Sequence, residues 1–242
     1  SAFLLVDMEN IIELDKHLTL WLNSWHSDFF DYFYYMVTST TAWIPFFVVL
    51  AWMVFRKQGV QGLFTLICVG LLIVVADQLA SHVFKPLFER PRPSHDDVMQ
   101  WMVHLVNGRR GGEFGFVSSH AANSFALATF MMLVVRNGFL SLSLFTWALL
   151  NSYSRIYNGM HFVGDILCGA LLGIILSVIT YQIYLRLVYH FFVIPHHNKR
   201  TLKSGLGRMF GSDAPLIAGM SMWFSLAILL IISALLCKYH MA

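Results

Sequence analysis

Residues 60–84, VQGLFTLICVGLLIVVADQLASHVF, contain one acid, Asp77, and neither lysine nor arginine. A helix rises about 1.5 Å per residue, and about 20 mostly apolar residues are needed to carry a chain across hydrocarbon with its backbone satisfied. The stretch therefore reads as a membrane-spanning helix. Asp77 within it is expected to face protein or water instead of lipid.

Working outward, residues 32–55, 119–135, 139–154, 163–185 and 215–237 read as five more spans. The third and fourth spans along the chain are short and meet at a tight turn, Arg136, Asn137 and Gly138, so both must extend into their flanks. Before the first span, Ile11, Ile12, Leu14, Leu18, Leu20, Trp21 and Leu22 alternate with acids and Lys16. That mixture predicts a helix lying on the membrane surface. The opening stretch has no basic start or short apolar core, so no cleaved leader is expected.

The composition agrees. Of 242 residues, 57% are hydrophobic and 12% charged, against about 25% charged in a typical soluble domain. Mean hydropathy is +0.65. A water-soluble globule is excluded, and an aromatic content of 15% excludes disorder. The net charge of +3 comes without a basic, aromatic-interleaved stripe, so nucleic acid is no partner. Cys68, Cys168 and Cys237 fall in apolar runs and read as small packed hydrophobes. With neither repeats nor a linker, the expected architecture is all-α. It is a polytopic membrane helical bundle of about six transmembrane helices with an N-terminal interfacial helix, in one domain over residues 1–242.

Six crossings put both termini, residues 85–118 and residues 155–162 on one side. The opposite side then holds Arg56, Lys57, Arg136, Arg186, Lys199, Arg200, Lys203 and Arg208, eight of the sixteen basic residues, but only Asp213 of the thirteen acids. Because lysine and arginine resist translocation, that opposite side is expected to be cytoplasmic.

Three polar islands fall on the other side. The first, from Lys85 to Pro93, contains Pro86, Pro91 and Pro93, which are expected to stop the helix and hold Lys85 and Arg92 in a rigid cationic turn. The second, from Gly115 through Ser118, Ser119 and His120, opens a span, and a helix N-terminus offers free N–H groups to phosphate. In the third, Ser154 to Asp165, His161 and Asp165 stand at i and i+4, so the carboxylate can hold one ring nitrogen and free the other to attack. Each island alone has a plainer explanation: a basic flank, a serine N-cap, a histidine satisfied by a local carboxylate. A zinc pair is a further alternative, although only His120 stands ready as another ligand. Together the islands combine three cations, a helix start and two histidines, a set suited to phosphoryl transfer through a phosphohistidine.

The order K-x6-R-P, S-x-H, S-R-x5-H-x3-D, read here as Lys85 to Pro93, Ser118 to His120 and Ser154 to Asp165, resembles the type 2 phosphatidic acid phosphatase family of membrane lipid phosphate phosphatases. The resemblance is anchored over residues 85–165. It implies that His161 is the nucleophile, Asp165 orients it and His120 protonates the leaving oxygen. Lys85, Arg92, Ser118, Ser119 and Arg155 would bind phosphate, Ser119 through its backbone. The family's usual P-S-G-H departs here to Val117, Ser118, Ser119 and His120, so no glycine-only backbone angle is required at Ser119. No cofactor and no metal is expected, since three cations fill the electrostatic role.

Sites at helix mouths favour a lipid whose phosphate rises to the interface while its tail stays in the bilayer. Similar proteins of this size act on undecaprenyl diphosphate, phosphatidylglycerol phosphate or lipid A phosphates in a bacterial inner membrane, with the site facing the periplasm or outside. The alternative is a transporter relaying protons through Asp77, His82, His161 and Asp165. Residues 94–114, with Asp96, Asp97, Trp101, His104, Arg109, Arg110 and Glu113, read either as a cover over the site or as a solvated connector. Trp21, Trp25, Trp43 and Trp101 are assigned to interfaces or packing. The basic tail, residues 190–213, is expected to anchor on anionic headgroups.

Overall fold

Gly169 and Gly173 stand one helical turn apart and face a neighbouring helix so closely that a Cβ on either would strike the backbone carbonyls of Ser118 and Ala122. This seam belongs to a computed structural model that describes residues 2–193 and 213–240. It joins helix α6 (Ser119–Val135) to α8 (Val163–Val188). Because the two helices touch at their N-terminal halves, the Ser118 amide donates to the Asp165 carbonyl at 3.0 Å. The second and third polar islands are thereby brought side by side.

The remaining elements are α1 (Ala2–Asn23), α2 (Asp28–Val37), α3 (Ile44–Gln58), α4 (Val60–Gln78), α5 (Lys85–Phe88), α7 (Gly138–Tyr157) and α9 (Asp213–His240). Helix α6 is the buried centre, packed by α4, α7 and α8, and α9 lies against α2, α3 and α7. Large apolar side chains such as Leu63, Leu71, Leu167, Leu171, Phe224 and Ile231 cover the outside of the bundle. The tail residues His196, His197, Lys199, Arg200, Lys203 and Arg208 lie outside the described residues.

Among the described residues three helices are long and apolar enough to cross a bilayer: Val60–Phe88, Val163–Phe192 and Asp213–Tyr239. A fourth is added if Asp28–Val37 and Thr40–Arg56, bent by 73°, form one span. The expectation of an unbroken span over residues 32–55 is corrected here. Trp43 donates from Nε1 to the Val37 carbonyl at 2.8 Å, closing α2, and Pro45, which has no N–H to give, opens α3. Helix α6 has 17 residues, so it rises about 26 Å. Its burial means that protein, not lipid, surrounds most of it.

The Arg136 turn takes the expected place: Arg136 adopts φ 53°, and Asn137 caps α7 by accepting from the Leu140 amide at 3.0 Å. Contrary to expectation, Pro86 does not stop the helix at Lys85. The helix passes through Lys85 and Pro86 and ends at Glu89, φ 44°. A π-helical turn, Leu79–Phe84, widens the spiral just before, and the Lys85 amide donates to Ala80. A wider turn admits a residue that lacks a donor and would clash in a regular helix. Cys168 is exposed, contrary to the expected packing; Cys68 is buried, and all three cysteines are free.

Helix α1 crosses the end of the bundle that carries the polar islands. Its inward residues bind there: Asn23 donates from Nδ2 to the carbonyls of Ile156 and Tyr157, and Thr19 accepts from the Val163 amide. Ile11, Ile12, Leu14, Leu18 and Trp21 point outward and are exposed. Residues 94–114 are pinned, not free. Asp96 pairs with Lys16 at 3.0 Å and caps the Val98 and Met99 amides, and Ser94 donates to the Arg110 carbonyl.

Candidate active site

His161 sits in the short connection before α8 and is 1% exposed. Its Nδ1 lies 3.3 Å from Oδ2 of Asp165, which is fully buried at the first turn of α8. The same oxygen accepts from the Phe162 amide at 3.1 Å. With Nδ1 held by the carboxylate, Nε2 is the nitrogen left to react. Burial drives the His161 ring well below the usual imidazole range, and the charges of Arg92, Arg155 and Lys85 push the same way, against a backbone hydrogen bond with Gly115. The ring is therefore a neutral imidazole at physiological pH, the form that can attack.

Two of these cations are locked by backbone or by a neighbouring hydroxyl. Arg92 donates from Nε to the Phe114 carbonyl at 3.2 Å and from Nη1 to the Met160 carbonyl at 3.4 Å. Burial lowers its pKa, with Asp165 opposing. Arg155, in the last turn of α7, donates from Nη1 to Thr38 Oγ1 at 2.7 Å, while its buried Nε–H has no partner. A buried donor left open beside other cations is a place for an anion oxygen. Lys85 is half-buried and within electrostatic range of Arg92, Arg155, Asp77 and Asp165.

Ser118 is fully buried and caps α6: its Oγ accepts from the Ala121 amide at 3.4 Å. The hydroxyl keeps its own O–H to donate. Ser119 is the first residue of α6, and no positive φ is found there. His120 follows, half-buried, within electrostatic range of Arg155, His161, Arg92 and Lys85. All eight side chains singled out in the sequence therefore gather around the N-termini of α6 and α8. Among the described residues no three His, Cys, Asp or Glu side chains come together as a metal-ligand set. His82, part of the proton-relay alternative, is exposed on the π-helical turn.

Sequence reasoning missed four participants. Arg90 donates from Nη1 to Asp165 Oδ1 at 2.9 Å and from Nη2 to Asp15 Oδ2 at 2.6 Å, and its guanidinium lies 4.2 Å over the Phe162 ring. Asp15, on α1, also accepts from the Gly164 amide at 2.8 Å. Thr38 is the partner of Arg155. Gly115 is the fourth: a Cβ there would stand 2.8 Å from Asp165 Oδ2. A signal for Arg90 existed. The Arg90 carbonyl accepts from Gly115 and the Arg92 amide donates to Glu113, so this proline-rich stretch is extended. In extended chain, residues two apart share a face.

Comparison with known proteins identifies the family. The family model described as the PAP2 superfamily matches residues 65–189. A lipid A 4'-phosphatase of Bacteroides thetaiotaomicron is 38% identical over 69% of this chain and 75% of its own length. One from Porphyromonas gingivalis is 36% identical over 74% of this chain and 76% of its own. Among solved structures, Aquifex aeolicus LpxE aligns with TM-score 0.51 at 26% identity, covering 69% of this chain and 93% of that one. A PAP2-type phosphatidylglycerolphosphate phosphatase from Bacillus subtilis aligns at 0.53 and 21% identity over 72% and 86%, a likeness of fold. The chain belongs to the PAP2 superfamily, as an integral-membrane phosphatase that hydrolyses phosphate esters of lipids.

Proposed function

We propose that this phosphatase removes a phosphate from a lipid A-type headgroup through a covalent phosphohistidine on His161, without a metal. The observation that carries the reading is the buried His161–Asp165 pair faced by Lys85, Arg92 and Arg155. Neutral Nε2 of His161 attacks phosphorus in line, forming an N–P bond as the P–O bond to the lipid breaks. The three cations neutralise the phosphoryl oxygens, assisted by the open Nε–H of Arg155 and the backbone N–H of Ser119 at the start of α6. The bound dianion favours a proton on His120, which passes it to the departing lipid oxygen. Water, deprotonated by the same His120, then attacks the phosphohistidine and frees inorganic phosphate.

In this reading residues 1–242 form one domain that crosses the membrane six times. The α2–α3 pair makes the first crossing, and α1 lies at headgroup depth with its apolar face toward lipid. The excess of lysine and arginine at the opposite end puts that end in the cytoplasm, so the site opens to the periplasmic face of a bacterial inner membrane. The similarity to two lipid A 4'-phosphatases favours lipid A over phosphatidylglycerol phosphate or undecaprenyl diphosphate.

The test is phosphate release from lipid A by detergent-purified protein in excess chelator, with acid-labile, alkali-stable phosphoprotein trapped from ³²P-labelled substrate. Turnover that survives chelation and yields trapped label absent from His161→Ala is expected. Activity restored only by added zinc would overturn the metal-free mechanism. Full activity in His161→Ala would remove the nucleophile.

A further inference from the structure

Beside His120, a pocket of about 270 Å³ opens between α3, α4 and α6, and its polar lining includes Asp77, Ser119 and Asn123. Asn123 donates from Nδ2 to Asp77 Oδ1 at 3.2 Å, which fixes the orientation of its amide, because the flipped form would set oxygen against oxygen. The amide oxygen is then buried without a partner. Asp77 is an acceptor as well, with capacity beyond the single bond from Asn123. Two acceptors thus line one pocket together with the indole N–H of Trp147, a buried donor that also lacks a partner, so a ligand group carrying both a donor and an acceptor, as a secondary amide does, would relieve both orphans.

The floor of the pocket is Phe47, Ile73 and Leu127, which also line an adjoining apolar cavity of about 230 Å³. The molecule that fits therefore has a donor-bearing head and an apolar extension. On the proposed mechanism His120 protonates the leaving oxygen, so this pocket lies on the leaving-group side of phosphorus.

We infer that Asp77 and Asn123 form a leaving-group subsite for hydrogen-bond donors, built for a lipid alcohol rich in hydroxyl and amide N–H groups, such as an acylated amino sugar. The inference rests on the phosphatase reading above and goes beyond it by naming what selects the headgroup. Ester carbonyls and phosphate oxygens are acceptors: the Trp147 indole can meet one of them, but Asp77 and the Asn123 amide oxygen cannot. A second phosphate would meet the Asp77 carboxylate, so a diphosphate is disfavoured. A subsite that hydrogen-bonds its substrate rejects an analogue lacking the group far more strongly than an apolar pocket rejects a missing methylene.

The experiment compares kcat/KM for three water-dispersible substrates: an acylated glucosamine 4-phosphate, dioctanoyl phosphatidate and farnesyl diphosphate. The wild type is expected to favour the amino-sugar phosphate over each of the others by about tenfold or more. Asn123→Ala is expected to cut the amino-sugar to phosphatidate ratio by about tenfold, mainly through KM. The near-isosteric Asp77→Asn, which keeps the pair's shape, is expected to raise the diphosphate to phosphatidate ratio. A measurement needing no variant accompanies these: an alkyl N-acetylglucosaminide should inhibit phosphatidate hydrolysis more strongly than an alkyl glycerol of equal chain length. Equal inhibition by the two alcohols, or substrate ratios that the variants leave within twofold, overturns the subsite. Absence of phosphate release from all three substrates by the wild type would instead bring down the phosphatase reading itself.

Discussion

His161 and His104 each face an aspartate, and the two pairs lie toward the same end of the bundle. His161 Nδ1 is 3.3 Å from Asp165 Oδ2, with the side chains 1% and 0% exposed. His104 Nε2 is 2.9 Å from Asp31 Oδ1, with 26% of each side chain exposed. By distance alone the second is the better pair. The surroundings differ. Around His161 stand Lys85, Arg92 and Arg155 and the start of a helix. Around His104 stand a Tyr157 hydroxyl donating to Asp31 at 2.6 Å, a His26 ring stacked at 4.0 Å and the side-chain Oδ1 of Asn23 accepting from the His104 backbone amide. A histidine held by a carboxylate becomes a nucleophile only where the field favours an incoming anion. The His104 pair instead fastens residues 94–114 to α1, α2 and α7.

The sharpest way to break this contrast is to delete each imidazole. His161→Ala is expected to lower lipid phosphatase turnover by about 10⁴-fold or more, as loss of a nucleophile does. His104→Ala should fall in a different class altogether, and near-equal losses in the two variants would show that His161 is no nucleophile.

Arg90 sharpens the same contrast from the carboxylate side. Asp31 is held by a tyrosine and a histidine, whereas Asp165 is fully buried and relies on Arg90, which Asp15 holds in turn. Arg90→Ala is expected to reduce kcat by about 10²-fold through a misplaced Asp165–His161 pair. It should also destabilise the fold by about 3 kcal/mol, since it strips the ion partner from a buried carboxylate. Arg90→Lys should recover stability more than turnover, because an ammonium cannot bridge Asp15 and Asp165 in the fixed fork of a guanidinium. A loss of substrate affinity with kcat intact would instead make Arg90 a phosphate ligand.

The spans over residues 60–84, 163–185 and 215–237 and the polar islands were legible because their signals are local. Residues 60–84 are apolar over a length set by the bilayer, and His161 and Asp165 stand four residues apart, which pairs them across the start of α8 although His161 itself precedes the helix. Arg136 to Gly138 likewise reads as a turn from three adjacent residues. The illegible parts needed the third dimension. Asp77 was expected to avoid lipid, but nothing in the chain names Asn123 as its partner 46 residues away. Asp15 looked like one of several acids on a surface helix until α1 docked across the end of the bundle. The break between α2 and α3 was missed because hydropathy is continuous through it. What stops the helix is a tryptophan indole taking the last carbonyl and a proline with no donor to offer.

A subtler test lies in how the His161 pair responds to acid. Burial and three cations hold His161 neutral to a pH below the ordinary imidazole value of about 6.5. The acid limb of kcat/KM, which reports the free enzyme, should accordingly lie below that value where His161 sets it. In Arg92→Gln one repelling charge is gone, so protonation becomes easier and the limb moves to higher pH, alongside a general loss of activity. Measuring both proteins on one substrate cancels the substrate's own ionisation. A limb that stays put or moves to lower pH would contradict the electrostatic account of His161.

The smallest effect is expected at the other pair. His104→Ala removes hydrogen bonds to Asp31 and the stacking of His26, but the bonds between the Asn23 side chain and the His104 backbone and the Lys16–Asp96 ion pair still hold the segment. A loss of about 1–2 kcal/mol in stability is expected from the lost bonds, with turnover changed less than about threefold, because no reacting atom depends on that imidazole. Thermal unfolding and lipid phosphatase assays on the same preparation check both numbers. Should turnover fall a hundredfold while the unfolding temperature holds, residues 94–114 would do more than brace the end of the bundle. The His104 pair would then have to be moved from the scaffold to the reaction.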